Sequence, residues 1–439
     1  MPAPEPAIGG ITVAPMGRRV TVVLATGFDS PAPGSGSPDS RLTIAGWTIG
    51  KNAPVERVEI VSDNRVLGTA PVGLPTPELA ARFAAAGPWA ANAGFSVEVD
   101  TLGTEPAFDI RVRAVIGGVP VARLTTIRGT RRPIRPDYAP RIHPLLVNSI
   151  GRTGSTLLMR LLAAHPKIVA YRRLPYEARA AKYWYHLMLT LAASPDPAKQ
   201  IGQPQEFHLE RIAAGNPFAT DEFGAYPEAV AWSRAGYRED LASFTLKAID
   251  GWYGAVAAAQ EQPEPVYWAE KTFPDQYATL AHELDPRAKQ LVLVRDFRDM
   301  WTSMRAYNER GGFGDFGQAR ARSDAEWLDE LRIAAYLLPE MLARRGESAR
   351  LVRYEDLVAD PAGQVTGILG FLGLDADPAT VAAMVANATE EIPELRAHQT
   401  SADAASSIGR WKRDLSPEQQ QLARTAFDDI LTRLGYAVD

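Results

Sequence analysis

His143-Pro-Leu-Leu-Val-Asn148-Ser149-Ile150-Gly151-Arg152-Thr153-Gly154-Ser155-Thr156-Leu157-Leu158-Met159-Arg160 begins as a short apolar run, passes through glycines and hydroxyls, and continues as an apolar helix pattern from Thr156 to Ala164. This reads as strand, loop, helix. The same alternation returns at Pro265 to Ala269, at Gln290 to Val294 with a helix from Asp299, and at Arg350 to Tyr354 with a helix from Gly363. Repeated alternation predicts an α/β domain, a parallel sheet flanked by helices on both faces. Ligands of such sheets bind beyond the C-terminal strand ends.

Ser149 to Thr156 falls at such an end, where free N–H groups and the helix dipole make an anion site and glycine lets the backbone approach. A Walker A loop needs Gly at 149 and Lys at 155. Both positions are Ser, and the cation, Arg152, stands two residues before Gly154. A P-loop-like turn without the Walker lysine disfavours a Mg-nucleoside triphosphatase. The strand Gln290 to Val294 ends in Arg295-Asp-Phe-Arg298-Asp-Met-Trp-Thr-Ser303. Arg295 at the strand tip and Ser303 two turns into the helix can converge on a second anion, which asks for a ligand with two anionic ends. On its own, Arg-Asp-x-x-Asp equally spells a surface ion pair and a helix cap.

Outward from this core, residues 18 to 130 alternate with period two, as in Phe95, Val97, Val99 and Phe108, Ile110, Val112, Ala114. About seven short strands, with hairpin signals at Ser62-Asp63-Asn64 and Gly117-Gly118, predict an N-terminal antiparallel β-sandwich, Ig-like in plan. Thr76 to Ala86 alone reads as helical. Residues 1–17 read as a flexible N-terminus and 131–141, rich in Arg and Pro, as a linker to a domain over 142–439.

The 439 residues are ordinary in composition, 46% hydrophobic and 23% charged, with a net charge of −5 that argues against a broadly basic nucleic-acid binder. Without cysteine there is no disulfide, thiolate metal site or cysteine nucleophile. The six histidines (143, 165, 186, 208, 282 and 398) show no HExxH or other close pairing, so metal-independent chemistry is expected. No apolar run reaches the roughly 18 residues of a membrane span, and cytoplasmic residence fits.

Four motifs now stand in order. Arg152-Thr153-Gly154-Ser155-Thr156-Leu-Leu-Met-Arg160 with Ala164-His165-Pro166, Arg295 to Ser303, Arg353-Tyr354-Glu355-Asp356-Leu357, and Gly409-Arg410-Trp411-Lys412 together resemble the PAPS-dependent sulfotransferase family over about 142 to 436. The resemblance is to bacterial-type members, and in the first loop to tyrosylprotein sulfotransferases. It implies 3′-phosphoadenosine 5′-phosphosulfate (PAPS) as donor and adenosine 3′,5′-bisphosphate as product. By the resemblance, Arg152 to Thr156 bind the 5′-phosphosulfate and Arg295 and Ser303 the 3′-phosphate, with Tyr354 near the nucleotide and Arg410 and Lys412 on a loop that closes over it. The N-terminal β-region lies outside the resemblance.

Sulfuryl transfer by in-line displacement needs a base on the attacking oxygen and cations near the departing phosphate. Arg152 and Lys271, in Glu270-Lys271-Thr272, are the candidate cations, although the family's lysine is commonly followed by Thr-Pro and here Phe273 intervenes. Glu177, in Pro175-Tyr176-Glu177-Ala178-Arg179, resembles the glutamate base of tyrosylprotein and many bacterial members; His186 and His208 are the alternatives, and His165 reads as a helix-end cap. Gly312-Phe-Gly-Asp-Phe-Gly317 spells GxGxxG but follows a helix, so it reads as a mobile loop near the acceptor mouth rather than a dinucleotide fingerprint. The expected activity is transfer to a hydroxyl, on a glycan or glycoconjugate before a tyrosine or small phenol. The competing classes are a phosphotransferase and a non-catalytic PAPS-binding scaffold.

Overall fold

The computed structural model describes residues 7–15, 22–38, 40–63, 65–173, 176–192, 228, 232, 236–311, 316–318, 321–390, 400–401 and 403–438. The chain divides into two units, Met1–Asp137 with Trp184–Thr245, and Tyr138–Tyr183 with Leu246–Asp439.

The first unit carries β1 (Ile8–Val13), β2 (Val23–Ser30), β3 (Arg41–Gly50), β4 (Arg57–Ser62), β5 (Arg65–Pro71), β6 (Gly94–Asp100), β7 (Ala107–Ile116) and β8 (Val119–Arg131). They form two antiparallel sheets, ordered β1-β8-β7-β4-β5 and β2-β3-β6. One apolar core draws on both, with Ile60, Ile110, Val112 and Ile127 from the larger sheet and Leu42, Ile44, Phe95 and Val99 from the smaller. The period-two pattern thus marks which residue of each strand faces inward. Gly117 and Gly118 form the β7–β8 hairpin with φ of 61° and 75°, the left-handed values that glycine adopts at low cost.

One strand lies in the stretch read as a flexible tail. β1 pairs with β8 and buries Ile8 and Ile11 completely or nearly so. Its Gly9-Gly10 pair dilutes the apolar signal, and a register shift between Gly9 and Thr12 breaks the alternation, so six residues gave too little periodicity to read. β8 continues to Arg131, the first residue of the Arg- and Pro-rich stretch read as a linker.

The second unit is built on β9 (His143–Asn148), β10 (Ile168–Ala170), β11 (Tyr267–Thr272), β12 (Lys289–Val294) and β13 (Ala349–Arg353), all parallel, in the order β10-β11-β9-β12-β13. Leu291 and Leu293 of β12 pack with helices Ser155–Ala163, Pro361–Leu372 and Pro378–Thr389. Val292 and Val294 pack with helices Phe297–Gly311, Asp324–Arg345 and Pro417–Arg433. Alternate residues therefore serve opposite faces, which is why these strands read as unbroken apolar runs. The chain leaves β9 toward β10 and β11, then returns on its other side as β12 and β13. That reversal opens a crevice at the C-terminal ends of β9, β11 and β12. Among the described residues no helix is long and apolar enough to cross a membrane.

Candidate active site

The turn after β9 needs two left-handed residues, Arg152 at φ 66° and Gly154 at φ 87°. Thr153, fully buried, ties it shut by donating its hydroxyl to the Ile150 carbonyl at 2.8 Å. A Cβ on Gly154 would lie 2.4 Å from the Tyr354 ring, and one on Gly151 would lie 2.9 Å from the Phe316 ring. The third motif of the sequence, through Tyr354, is thus packed on the first. Helix Ser155–Ala163 opens at Gly154 with no side-chain cap, leaving its first N–H groups for an anion.

On one side of this turn the C-terminal end of β11 delivers Lys271, almost fully buried. Its ammonium donates to Thr156 Oγ1 at 3.1 Å and to Glu177 Oε1 at 2.9 Å. Burial lowers the Lys271 pKa, while the Glu177 charge opposes that shift. Glu177 keeps 40% of its side chain exposed, so an acceptor can reach it, and Arg179 approaches its other oxygen at 3.4 Å. Tyr176, at φ 61°, turns the chain so that its own ring is buried while Glu177 points outward. The next residue of the strand alternation, Glu270, faces the opposite side of the sheet. It is wholly buried, accepts from Tyr253 O–H and, at 2.8 Å, from Ala181 N–H, and so caps helix Ala180–Ala192 just beyond Glu177. Burial raises it to about 7.

On the other side β12 delivers Arg295. Its guanidinium lies over the Tyr354 ring, 4.8 Å from the centroid, and donates to the Arg152 carbonyl at 3.2 Å and the Ser407 carbonyl at 2.6 Å. Arg152 itself stacks on Tyr307 at 4.9 Å and reaches Ser303 Oγ at 3.3 Å. Ser303 shares a 2.9 Å hydrogen bond with Thr400, to which Arg410 also donates. Burial, and then the nearby Arg295 and Arg410 charges, pull Arg152 down to about 10. A buried guanidinium whose charge is opposed by two neighbouring guanidiniums points to a pocket built for an anion.

Thr156, Lys271 and Glu177 therefore meet at one end, and Arg152, Arg295, Ser303, Tyr354 and Arg410 at the other. Lys412 is exposed, with its ammonium 5.5 Å from the Trp411 ring centroid. His186 lies in helix Ala180–Ala192, and His208 lies outside the described residues. His165, read as a helix-end cap, is buried and accepts the Lys167 N–H in the turn that follows the helix. Of the GxGxxG segment, Gly312 to Asp315 lie outside the described residues; Phe316 packs edge-on against Tyr307. Sequence reading missed Thr400, Ser407 and the roles of Glu270 and Asp299. Thr400 and Ser407 sit outside every motif. The two carboxylates were visible beside Lys271 and Arg298, but only the folded structure shows that they accept from backbone N–H groups.

The model of the sulfotransferase family matches residues 144–378. Carbohydrate sulfotransferase 1 of Homo sapiens is 36% identical over 90 residues, 20% of this chain and 22% of that protein, and its Mus musculus counterpart is 35% identical over 88 residues, 20% and 21%. The matched stretch is thus about a fifth of the length of those relatives. Among solved structures, the sulfotransferase domain of the Synechococcus PCC 7002 olefin synthase aligns at 20% identity over 70% of this chain and 100% of that one, TM-score 0.38. Mouse sulfotransferase SULT7A1 complexed with PAP aligns at 12% identity over 69% and 87%, TM-score 0.35. Because the family match covers more than half of the chain and contains both the first loop and the Arg295–Ser303 motif, this protein belongs to the sulfotransferase family.

Proposed function

We propose that the protein transfers a sulfuryl group from PAPS to a hydroxyl of a glycan or glycoconjugate, with Glu177 as the general base. The observation that carries this reading is the position of Lys271, whose ammonium touches both the hydroxyl of Thr156 at the helix start and the carboxylate of Glu177. A cation and a base thereby share one point at the mouth of an anion-binding turn.

The residues present fit a ligand with two anionic ends. The uncapped helix start and Lys271 suit one end, and Arg295, Ser303 and Arg410 suit the other. Arg295 Nε is buried without a hydrogen-bond partner among the described residues. When bound, PAPS supplies the sulfuryl group and is left as adenosine 3′,5′-bisphosphate. Glu177 takes the proton from the acceptor oxygen as that oxygen attacks in line. Lys271 and Arg152 hold positive charge where negative charge builds on the departing side, in a site too dry for water to do so. The half-exposed Glu177 contrasts with the buried cations, an arrangement that admits an exchangeable acceptor beside a retained nucleotide. The match to carbohydrate sulfotransferase 1 supports a sugar hydroxyl as acceptor.

The test is turnover of radiolabelled PAPS with a panel of oligosaccharides, tyrosine peptides and phenols, with Glu177→Gln as control. Labelled oligosaccharide formed by the wild type and lost in the variant is the expected result. Labelling of peptides or phenols alone would replace the acceptor class, and label transfer unaffected by Glu177→Gln would move the base elsewhere.

A further inference from the structure

Asp299 is a buried carboxylate to which the proposed chemistry assigns nothing. It stands in the first turn of helix Phe297–Gly311, one turn before Ser303, with 1% of its surface exposed. Its two oxygens accept two backbone N–H groups, Gly409 at 2.6 Å and Trp411 at 2.9 Å. These flank Arg410, whose guanidinium reaches the Thr400 hydroxyl, which in turn meets Ser303. Gly409 takes φ 67°, so the chain turns sharply at the first of the two anchored amides. Arg298 closes the arrangement from behind. Its guanidinium lies 4.3 Å from the Trp411 ring centroid and is held by Asp296 and Asp428.

We propose that Asp299 is a positioning residue for nucleotide binding, clamping the backbone on both sides of Arg410 so that its guanidinium is fixed beside Ser303 before ligand arrives. This rests on the reading of Arg295, Ser303 and Arg410 as the 3′-phosphate site. Two charge-assisted hydrogen bonds to amides on either side of Arg410 hold a loop more rigidly than one, and a preordered loop binds without the entropy cost of arranging it. Helix Phe297–Gly311 thereby does two jobs with one face. Ser303 touches the ligand, and Asp299, four residues earlier, holds the segment that supplies the second cation.

The experiment is a double-mutant cycle, with adenosine 3′,5′-bisphosphate and 5′-AMP titrated calorimetrically into wild type, Arg410→Ala, Asp299→Ala and the double variant. Asp299→Ala should weaken the bisphosphate roughly 10- to 100-fold and 5′-AMP little, and the double variant should bind like Arg410→Ala alone. Equal weakening of both nucleotides, additive losses, or wild-type affinity in Asp299→Ala each overturns the proposal. If Arg410→Ala keeps its preference for the bisphosphate, the 3′-phosphate reading itself fails, and the proposal with it. Should Asp299→Ala not fold, Asp299→Asn replaces it in the cycle. Hydrogen exchange then reports on the clamp directly: the Gly409 and Trp411 amides should exchange at least about tenfold faster in Asp299→Asn, with those of β12 unchanged. Unchanged exchange at Gly409 and Trp411 counts against the clamp.

Discussion

The two ends of the crevice use the same components in opposite proportions. At the Lys271 end, one buried cation faces one half-exposed carboxylate. At the Arg295 end, Arg152, Arg295 and Arg410 gather around buried hydroxyls, and Arg410 also pairs with the Asp414 carboxylate. The first end is balanced and reachable, which suits a proton that must move. The second is cation-rich and dry, which suits an anion that must stay. Each end is also braced by a buried carboxylate aimed at backbone amides, Glu270 at the Ala181 N–H and Asp299 at those of Gly409 and Trp411.

The sharpest way to break this contrast is to remove the base while keeping its shape. Glu177→Gln should lower kcat by about 10²- to 10⁴-fold and leave affinity for adenosine 3′,5′-bisphosphate nearly unchanged. A variant that loses nucleotide affinity instead would show that both ends serve binding. The converse substitution, Arg295→Ala, should weaken the bisphosphate by roughly 2–4 kcal/mol and abolish its preference over 5′-AMP, measured by calorimetry. If the preference survives, the 3′-phosphate lies elsewhere.

Much of this contrast was legible in the sequence because both ends are made at strand tips. A strand tip fixes its last residues in space, so Arg152, Lys271 and Arg295 could be read from the runs that precede them. β1 escaped because six residues with two glycines carry no clear period. Thr400 and Ser407 escaped for another reason, since they reach Ser303, Arg295 and Tyr354 across about a hundred residues or roughly half that. Such pairings belong to tertiary packing, and no local spacing encodes them. Lys412 illustrates a related point: adjacency to Arg410 in sequence says nothing of direction, and in the short helix Trp411–Asp414 its side chain is exposed while that of Arg410 is buried.

A smaller effect is expected where the two ends touch the same turn. Gly154→Ala must place a Cβ 2.4 Å from the Tyr354 ring in a left-handed residue. Strain plus displacement of the ring should cost about 2–3 kcal/mol, read as a lowered urea midpoint, with bisphosphate affinity falling in parallel. Truncating the ring in Gly154→Ala/Tyr354→Leu should recover part of the loss. No recovery would mean that the conformational strain, rather than the contact between motifs, dominates.

The smallest effect concerns Glu270, and its sign follows from its burial. Its folded pKa of about 7 stands above the ordinary 4.5, because desolvation outweighs the hydrogen bonds from Tyr253 and the amides of Ala181 and Lys182 and the more distant charge of Arg179. Between those two values the folded protein holds a proton that the unfolded chain has released. Stability is therefore fully present below about pH 4.5 and declines as pH rises toward 7, then levels off. Asp299, raised to about 6 by burial, and Glu355, also raised by burial, contribute slopes of the same sign, so the whole curve does not report on Glu270 alone. Glu270→Gln removes one titration and leaves the others. Urea denaturation at pH 5 and pH 8 should show the wild type losing about 1–2 kcal/mol more than the variant across that interval. The same slope in both proteins would mean that Glu270 stays ionised throughout, with its hydrogen-bond donors worth more than its burial costs.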